Sequence, residues 1–186
     1  MNAKSLIGMT VFAVDAGKNL GSVDRLLFST ERMRVTGLVI APATGLMDEP
    51  RPQKLLPTDK VKAVGHDAIT VDSESLLEVL ADGELPAGAV AFDQIERERV
   101  LTESGEEIGE VSSVEFDELT FQLDYLEIRR GFLSGSSMIA VESVVSVGED
   151  VIVVRDTALE DAAGRDRAEE DRVEHEDDDG MIIERR

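Results

Sequence analysis

The sequence predicts an all-β chain built from two tandem small β-barrels, with a short linker helix between them and a disordered acidic C-terminal tail. Three observations carry this expectation. One ordered set of glycines and apolar residues occurs twice, each copy breaks into short apolar runs separated by glycine turns, and apolar residues thin out after residue 156.

The repeat is read first, since self-similarity at a fixed spacing decides architecture before any single element does. At an offset of 88, Gly17, Gly21, Val23, Phe28, Leu38 and Ile40 meet Gly105, Gly109, Val111, Phe116, Leu126 and Ile128. After a loop the offset becomes 83, and Val61, Val64, Gly65, Ile69 and Val71 meet Val144, Val147, Gly148, Ile152 and Val154. The first copy therefore carries five extra residues in that loop.

Each copy reads as a succession of strands. Val11 to Val14 leads into Asp15-Ala16-Gly17, and the second copy places Glu103-Ser104-Gly105 at the same point, where glycine permits the positive φ of a tight turn. Leu20, Val23, Leu26 and Phe28 follow, matched by Ile108, Val111, Val114 and Phe116. Their spacing of three, three and two fits neither strand alternation nor a helix. A strongly bent strand with one or two bulges accounts for it, a short helix being the competing reading, and Gly21 and Gly109 favour the strand. A third strand follows on Met33, Val35, Leu38 and Ile40, or Phe121, Leu123, Leu126 and Ile128. After a loop, Leu55-Leu56-Pro57 or Met138-Ile139-Ala140 begins the last part, which turns at Gly65 or Gly148 into a closing strand. Five or six short strands in such a length bury one face best as a closed barrel. We expect the copies to fold as separate barrels with equivalent cores, Phe28 and Phe116 buried alike. The divisions are 1–72 for the first barrel, 73–95 for the linker, 96–156 for the second barrel and 157–186 for the tail.

In the linker, Ser73-Glu74-Ser75 could cap a helix through Leu76, Leu77 and Leu80 that ends near Gly83 and Pro86, its leucines packing on a barrel. In the tail, Glu174–Asp179 is acidic apart from His175, too polar to offset the entropy of ordering. Met181-Ile182-Ile183 could dock on a sheet edge, with fraying as the default.

Charge narrows the function classes. The formal charge of −21 divides into −3 over residues 1–91, −11 over 92–156 and −7 over 157–186. That field opposes direct nucleic-acid binding, which depends on clustered Lys and Arg, and suits a basic protein partner. With no Cys, disulfides and thiolate sites are excluded and a reducing cytoplasm is expected. The N-terminal residues lack a signal-peptide pattern, and no window approaches the ~20 apolar residues of a membrane-spanning helix.

No catalytic, cofactor or metal constellation emerges. His66 sits in a turn beside Asp67 with no second His near, and the second copy has Glu149 there. The run around His175 lacks the glycine turn and spaced ligands of a calcium loop. Gly17 to Gly21 lacks the Lys-Ser/Thr ending of a phosphate loop. The better candidates are the unequal loops before the last strands. The first carries Leu46 and Met47; the second carries Arg129, Arg130, Phe132 and Leu133, combining cations with an aromatic as interface hot spots do. The competing structural reading is that Phe132 caps the barrel and the arginines neutralise nearby carboxylates.

The pattern of an apolar strand, a turn ending in Gly, Leu/Ile-Gly-x-Val, a third apolar strand and Val-x-x-Val-Gly resembles the PRC-barrel family in both copies. The residues are Gly17, Leu20, Gly21, Val23, Val61, Val64 and Gly65, then Gly105, Ile108, Gly109, Val111, Val144, Val147 and Gly148. The resemblance implies a non-enzymatic interaction or scaffolding module. Branches of that family include a ribosome-maturation factor, which would imply a basic ribosomal protein as partner. Another is the reaction-centre H subunit, whose N-terminal membrane helix has no counterpart in this sequence.

Overall fold

The computed structural model describes residues 1–43, 52–80, 85–130, 135–148 and 150–159. The first copy contributes β1 (Thr10–Ala13), β2 (Lys18–Ser29), β3 (Arg34–Ala41), β4 (Lys54–Pro57), β5 (Val61–Val64) and β6 (Ala68–Val71). The connecting segment adds β7 (Glu78–Val79) and β8 (Ala89–Ala91). The second copy contributes β9 (Arg99–Thr102), β10 (Glu107–Phe116), β11 (Leu123–Arg129), β12 (Ser136–Ala140), β13 (Val144–Val147) and β14 (Val151–Val154). One-turn helices α1 (Ala3–Leu6) and α2 (Phe92–Ile95) precede β1 and β9.

The two sheets share one plan. The first runs β5-β6-β1-β2-β3-β4-β7 with β8 added on β2, and the second runs β12-β11-β10-β9-β14-β13. All pairs are antiparallel except β1 with β6 and β9 with β14. Each sheet curls into a half-barrel. The irregular apolar spacing of the second strand has a direct cause. Along β2 the register slips at its pairing with β1 and twice along β3, and β10 slips at the matching places. Each slip adds a residue to one strand, bends it and resets which residues face inward.

Gly21 and Gly109 make the tightest bend possible. Their φ values are 129° and 151°, and a Cβ would sit 1.9 Å from the Ala41 carbonyl oxygen or 2.4 Å from that of Arg129. No side chain fits there, so the start of the second strand lies flush against the end of the third.

The cores are equivalent but not separate. Phe28 is 1% exposed and Phe116 is 0% exposed, yet the buried residues of both copies belong to one continuous cluster. The reason is an exchange of N-terminal arms. α1 of the first copy packs on β10 of the second, while α2 of the second packs on β2 of the first. The strand contacts are exchanged in the same way. Ala91 pairs with Leu27, and Asn2 bridges to Glu115, the residue that Leu27 becomes at the offset of 88. At the centre Arg34 bridges to its own counterpart, Gln122. Val35 N donates to Phe121 O and Leu123 N donates to Met33 O, both at 2.9 Å. An antiparallel pair between equivalent residues requires an approximate two-fold axis through that bridge.

Aromatic packing keeps both sides full despite unlike residues. Phe28 meets Phe92 of α2 with ring centroids 6.0 Å apart; the counterpart of Phe92 is Ala3, and Phe116 stacks instead on Phe121 at 5.8 Å. Both arrangements lie in the range where ring pairs attract.

The linker turns as Ser73 suggests, though the helical piece is a single 3-10 turn, Glu74–Leu76, with the Ser73 hydroxyl accepting from Ser75 N. The chain then extends into β7, because extension lets neighbouring leucines reach different layers. Leu77 enters the main core, whereas Leu80 covers a second cluster of Leu27, Val39, Leu55 and Ala91 on the outer face of the first sheet. Past β14, Ala158 is buried at 2% exposure, so the packed body continues through that residue.

Candidate interaction surface

The two sheets differ most on their outer faces. In the first copy Leu27, Val39 and Leu55 are buried there under the linker residues Leu80, Leu85 and Ala89. In the second copy the same positions are Glu115, Glu127 and Met138, all partly exposed. Glu115 is engaged by Asn2, whose Nδ2 donates to Oε1 at 2.9 Å, and by the Met1 amino group, 3.3 Å from Oε2. Glu127 has no ion pair among the described residues. A leucine-lined, roofed face has become one that carries two partly exposed glutamates.

Arg129 ends β11 on this face, opposite Ser136 of β12. Its side chain is 56% exposed and its guanidinium lies 3.7 Å from Glu110 Oε2, a contact that in water contributes well under about 1 kcal/mol. Arg130 follows; its Nε is buried and has no hydrogen-bond partner among the described residues. Phe132 and Leu133, and likewise Leu46 and Met47 in the first copy's loop, lie outside the described residues. The two arginines thus follow one another in sequence but differ in setting, Arg129 exposed and Arg130 with its Nε buried. Met181-Ile182-Ile183 and the acidic run around His175 also lie outside.

Edges of the sheets supply further surface. Among the described residues β12 has β11 on one side and no strand on the other, whereas its counterpart β4 is bordered by β7. A groove of about 400 Å³ runs between the copies beside β13, lined by Met33, Gln122, Leu123, Val144 and Val147. It is shallow and holds one carboxylate, Glu142, with no opposed acid or base to move a proton.

Elsewhere the titratable groups are structural. His66 is 97% exposed, its Nδ1 3.0 Å from Asp67 Oδ1 in the turn before β6. Hydrogen bonds from Thr120 and Leu119 hold the Asp117 carboxyl below its usual range and fix the turn before Phe121. Glu74 is pulled down to about 2 by hydrogen bonds from Lys18 and Lys54, which tie the linker to the first barrel. No group of three or more His, Cys, Asp or Glu among the described residues could hold a metal ion.

Two matches with known proteins follow the two-copy plan. The model of the PRC-barrel domain matches residues 1–77 and again residues 88–160. The chain belongs to the PRC-barrel family. No curated protein matches the chain. PRC-barrel domains are protein-interaction modules, generally without catalytic activity. In this PRC-barrel pair, the second match starts upstream of β8 and so includes the arm that packs on the first barrel. No helix of the described residues is long and apolar enough to cross a membrane.

The outer-face difference was missed by reading loops alone. Its signal was present at the offset of 88, where Leu27 and Val39 become Glu115 and Glu127. Such a change says that one copy's surface is covered and the other's is wet.

Proposed function

We propose that the chain is a non-enzymatic scaffolding module that binds a protein partner through its second barrel, and that a basic partner suits it best. The observation that carries this reading is the unequal surface on equal frames. The first barrel's outer face is roofed by the linker, while on the second Glu115, Glu127 and Met138 are partly exposed and Arg129 is exposed. The net charge of −11 over residues 92–156 draws cationic partners and deters acidic ones. Phe132 and Leu133, next in sequence, and Leu46 and Met47 of the first copy's loop are the apolar anchors this reading assigns to the partner. The acidic field also agrees with the ribosome-assembly reading, in which the basic partner is a ribosomal protein. A role beside a membrane complex draws support only from the family.

The test is a triple variant, Arg129→Ser, Arg130→Ser and Phe132→Ser, used to recover partners from lysate. Recovery should weaken at least about tenfold, or ~1.4 kcal/mol, with circular dichroism unchanged. Equal recovery of the same partners contradicts the patch. Loss of fold would assign Phe132 to capping the barrel.

A further inference from the structure

We infer that the edge of β12 that no strand covers among the described residues accepts an extended, cationic segment of a partner protein as an added antiparallel strand. The inference rests on the interaction-module reading and names the mode of binding on that same barrel. Its basis is the two-fold relation within the chain, because the first copy shows how this edge is covered when it is covered.

In the first copy β7 pairs antiparallel with β4, Lys54 opposite Val79 and Leu55 opposite Glu78, and Leu80 N donates to Gln53 O at 3.0 Å. Side chains hold it there, since Leu77 enters the core and Leu80 packs on the outer cluster. At the offset of 83 the second copy has Glu160, Asp161, Ala162 and Ala163 where the first has Leu77, Glu78, Val79 and Leu80. At these positions the leucines and valine that seat β7 are replaced by acidic residues and alanines. What they would have seated on has changed too, with Glu127 in place of Val39 and Met138 in place of Leu55.

The edge itself is fit for pairing. β12 meets β11 over five consecutive residues, Ser136 to Ala140, without a register slip. It contains no Pro and no charged residue, the usual means by which an exposed edge is protected. Among the described residues the other end strands are poorer templates, because β5 and β13 each carry a slip within four residues and β7 spans only Glu78–Val79. Backbone hydrogen bonds along β12 would supply affinity, and alternate side chains of the incoming strand would meet the outer face. That face offers Glu127, which has no ion pair among the described residues, while Glu110 lies 3.7 Å from Arg129 and Glu115 is held by Met1 and Asn2, so Lys or Arg opposite Glu127 is the complementary chemistry. A second copy of this chain is disfavoured as the occupant, since both edges would bring the same acidic face and each chain carries −21.

The probe is a nine-residue peptide alternating Lys with Val, titrated into the full chain by fluorescence anisotropy and residue-resolved amide exchange. Binding should slow exchange in Ser136–Ala140 and leave β4 unaffected. Methylating alternate backbone nitrogens of the peptide should weaken binding at least tenfold in one parity and little in the other, because only one set faces β12. Glu127→Lys should weaken the Lys peptide about tenfold and admit a Glu-Val peptide in its place. Equal loss from both methylation parities, or protection that avoids β12, overturns the assignment, as does dimerisation of the free chain through this edge. If the peptide fails while natural partners are still retained, the strand-addition mode falls and the interaction module stands. Loss of every partner by an otherwise folded chain overturns both.

Discussion

Phe28 and Phe116 show what one repeat position can mean in two settings. Both lie on the same strand of their copies and both are fully buried. Replacing either with Ala removes a ring from a core that cannot collapse around the gap, at a cost of about 3–5 kcal/mol. Urea unfolding checks the pair. A loss under about 1 kcal/mol at one site only would show that the two positions are not equivalent. Glu74 offers a test of a different kind, through pH. Its carboxyl is held at about 2 by the hydrogen bonds of Lys18 and Lys54, against an ordinary 4.5. A depressed carboxyl contributes stability that is full above its ordinary value and is lost as pH falls from about 4.5 to about 2. The side chain is 39% exposed, so solvent screening keeps that contribution small. Glu74→Gln should remove this part of the acid sensitivity, measured as a flatter slope of thermal midpoint against pH below 4.5. An unchanged slope would mean that the bridge contributes nothing to folding.

Among the elements, the strands were legible and the arms were not. Gly21 and Gly109 announced the bend because nothing with a Cβ fits beside the end of the third strand. Leu20, Val23, Leu26 and Phe28 looked irregular in sequence because each bulge shifts the inward phase, and the shifts recur in both copies. The exchange of α1 and α2 left no comparable trace. Each arm is one turn long, too short for a period, and the arms align at an offset of 89 rather than 88, as Leu6 with Ile95 shows. Their pairing depends on contacts far apart in sequence, such as Phe116 N to Met1 O at 2.9 Å and Ala91 opposite Leu27. At the candidate surface, Arg129 and Arg130 could be named from sequence as cations in an acidic copy. The uncovered edge of β12 among the described residues could not be read from a loop, and its signal appears only when Glu160–Ala163 is set against Leu77–Leu80 in sequence. The arm exchange makes its own prediction. Leu6→Ala should cost about 2–5 kcal/mol and move amide resonances along Ser113–Phe116 of the other copy. Shifts confined to the first copy would contradict the exchange.

At the scale of the molecule, two family domains have become one body. Arg34 bridging to Gln122, the reciprocal bonds between Val35 and Phe121 and between Leu123 and Met33, and a single cluster of buried residues leave neither barrel a core of its own. Small barrels of this length bury little apolar surface alone, so fusing two across a shared core is a direct route to stability. It also explains how one copy can change its outer face from leucine to glutamate without losing its frame, because the inner core serves both. The measurement that tests this most directly is equilibrium unfolding in urea, followed residue by residue through the amide signals of Val11 in β1 and Val100 in β9. Both residues are fully buried and each reports on its own barrel. A shared core predicts that the two signals are lost at the same urea concentration with the same slope, and that Phe116→Ala moves both midpoints together. Two separated transitions, with Phe116→Ala shifting only that of Val100, would show two independent barrels and contradict the account.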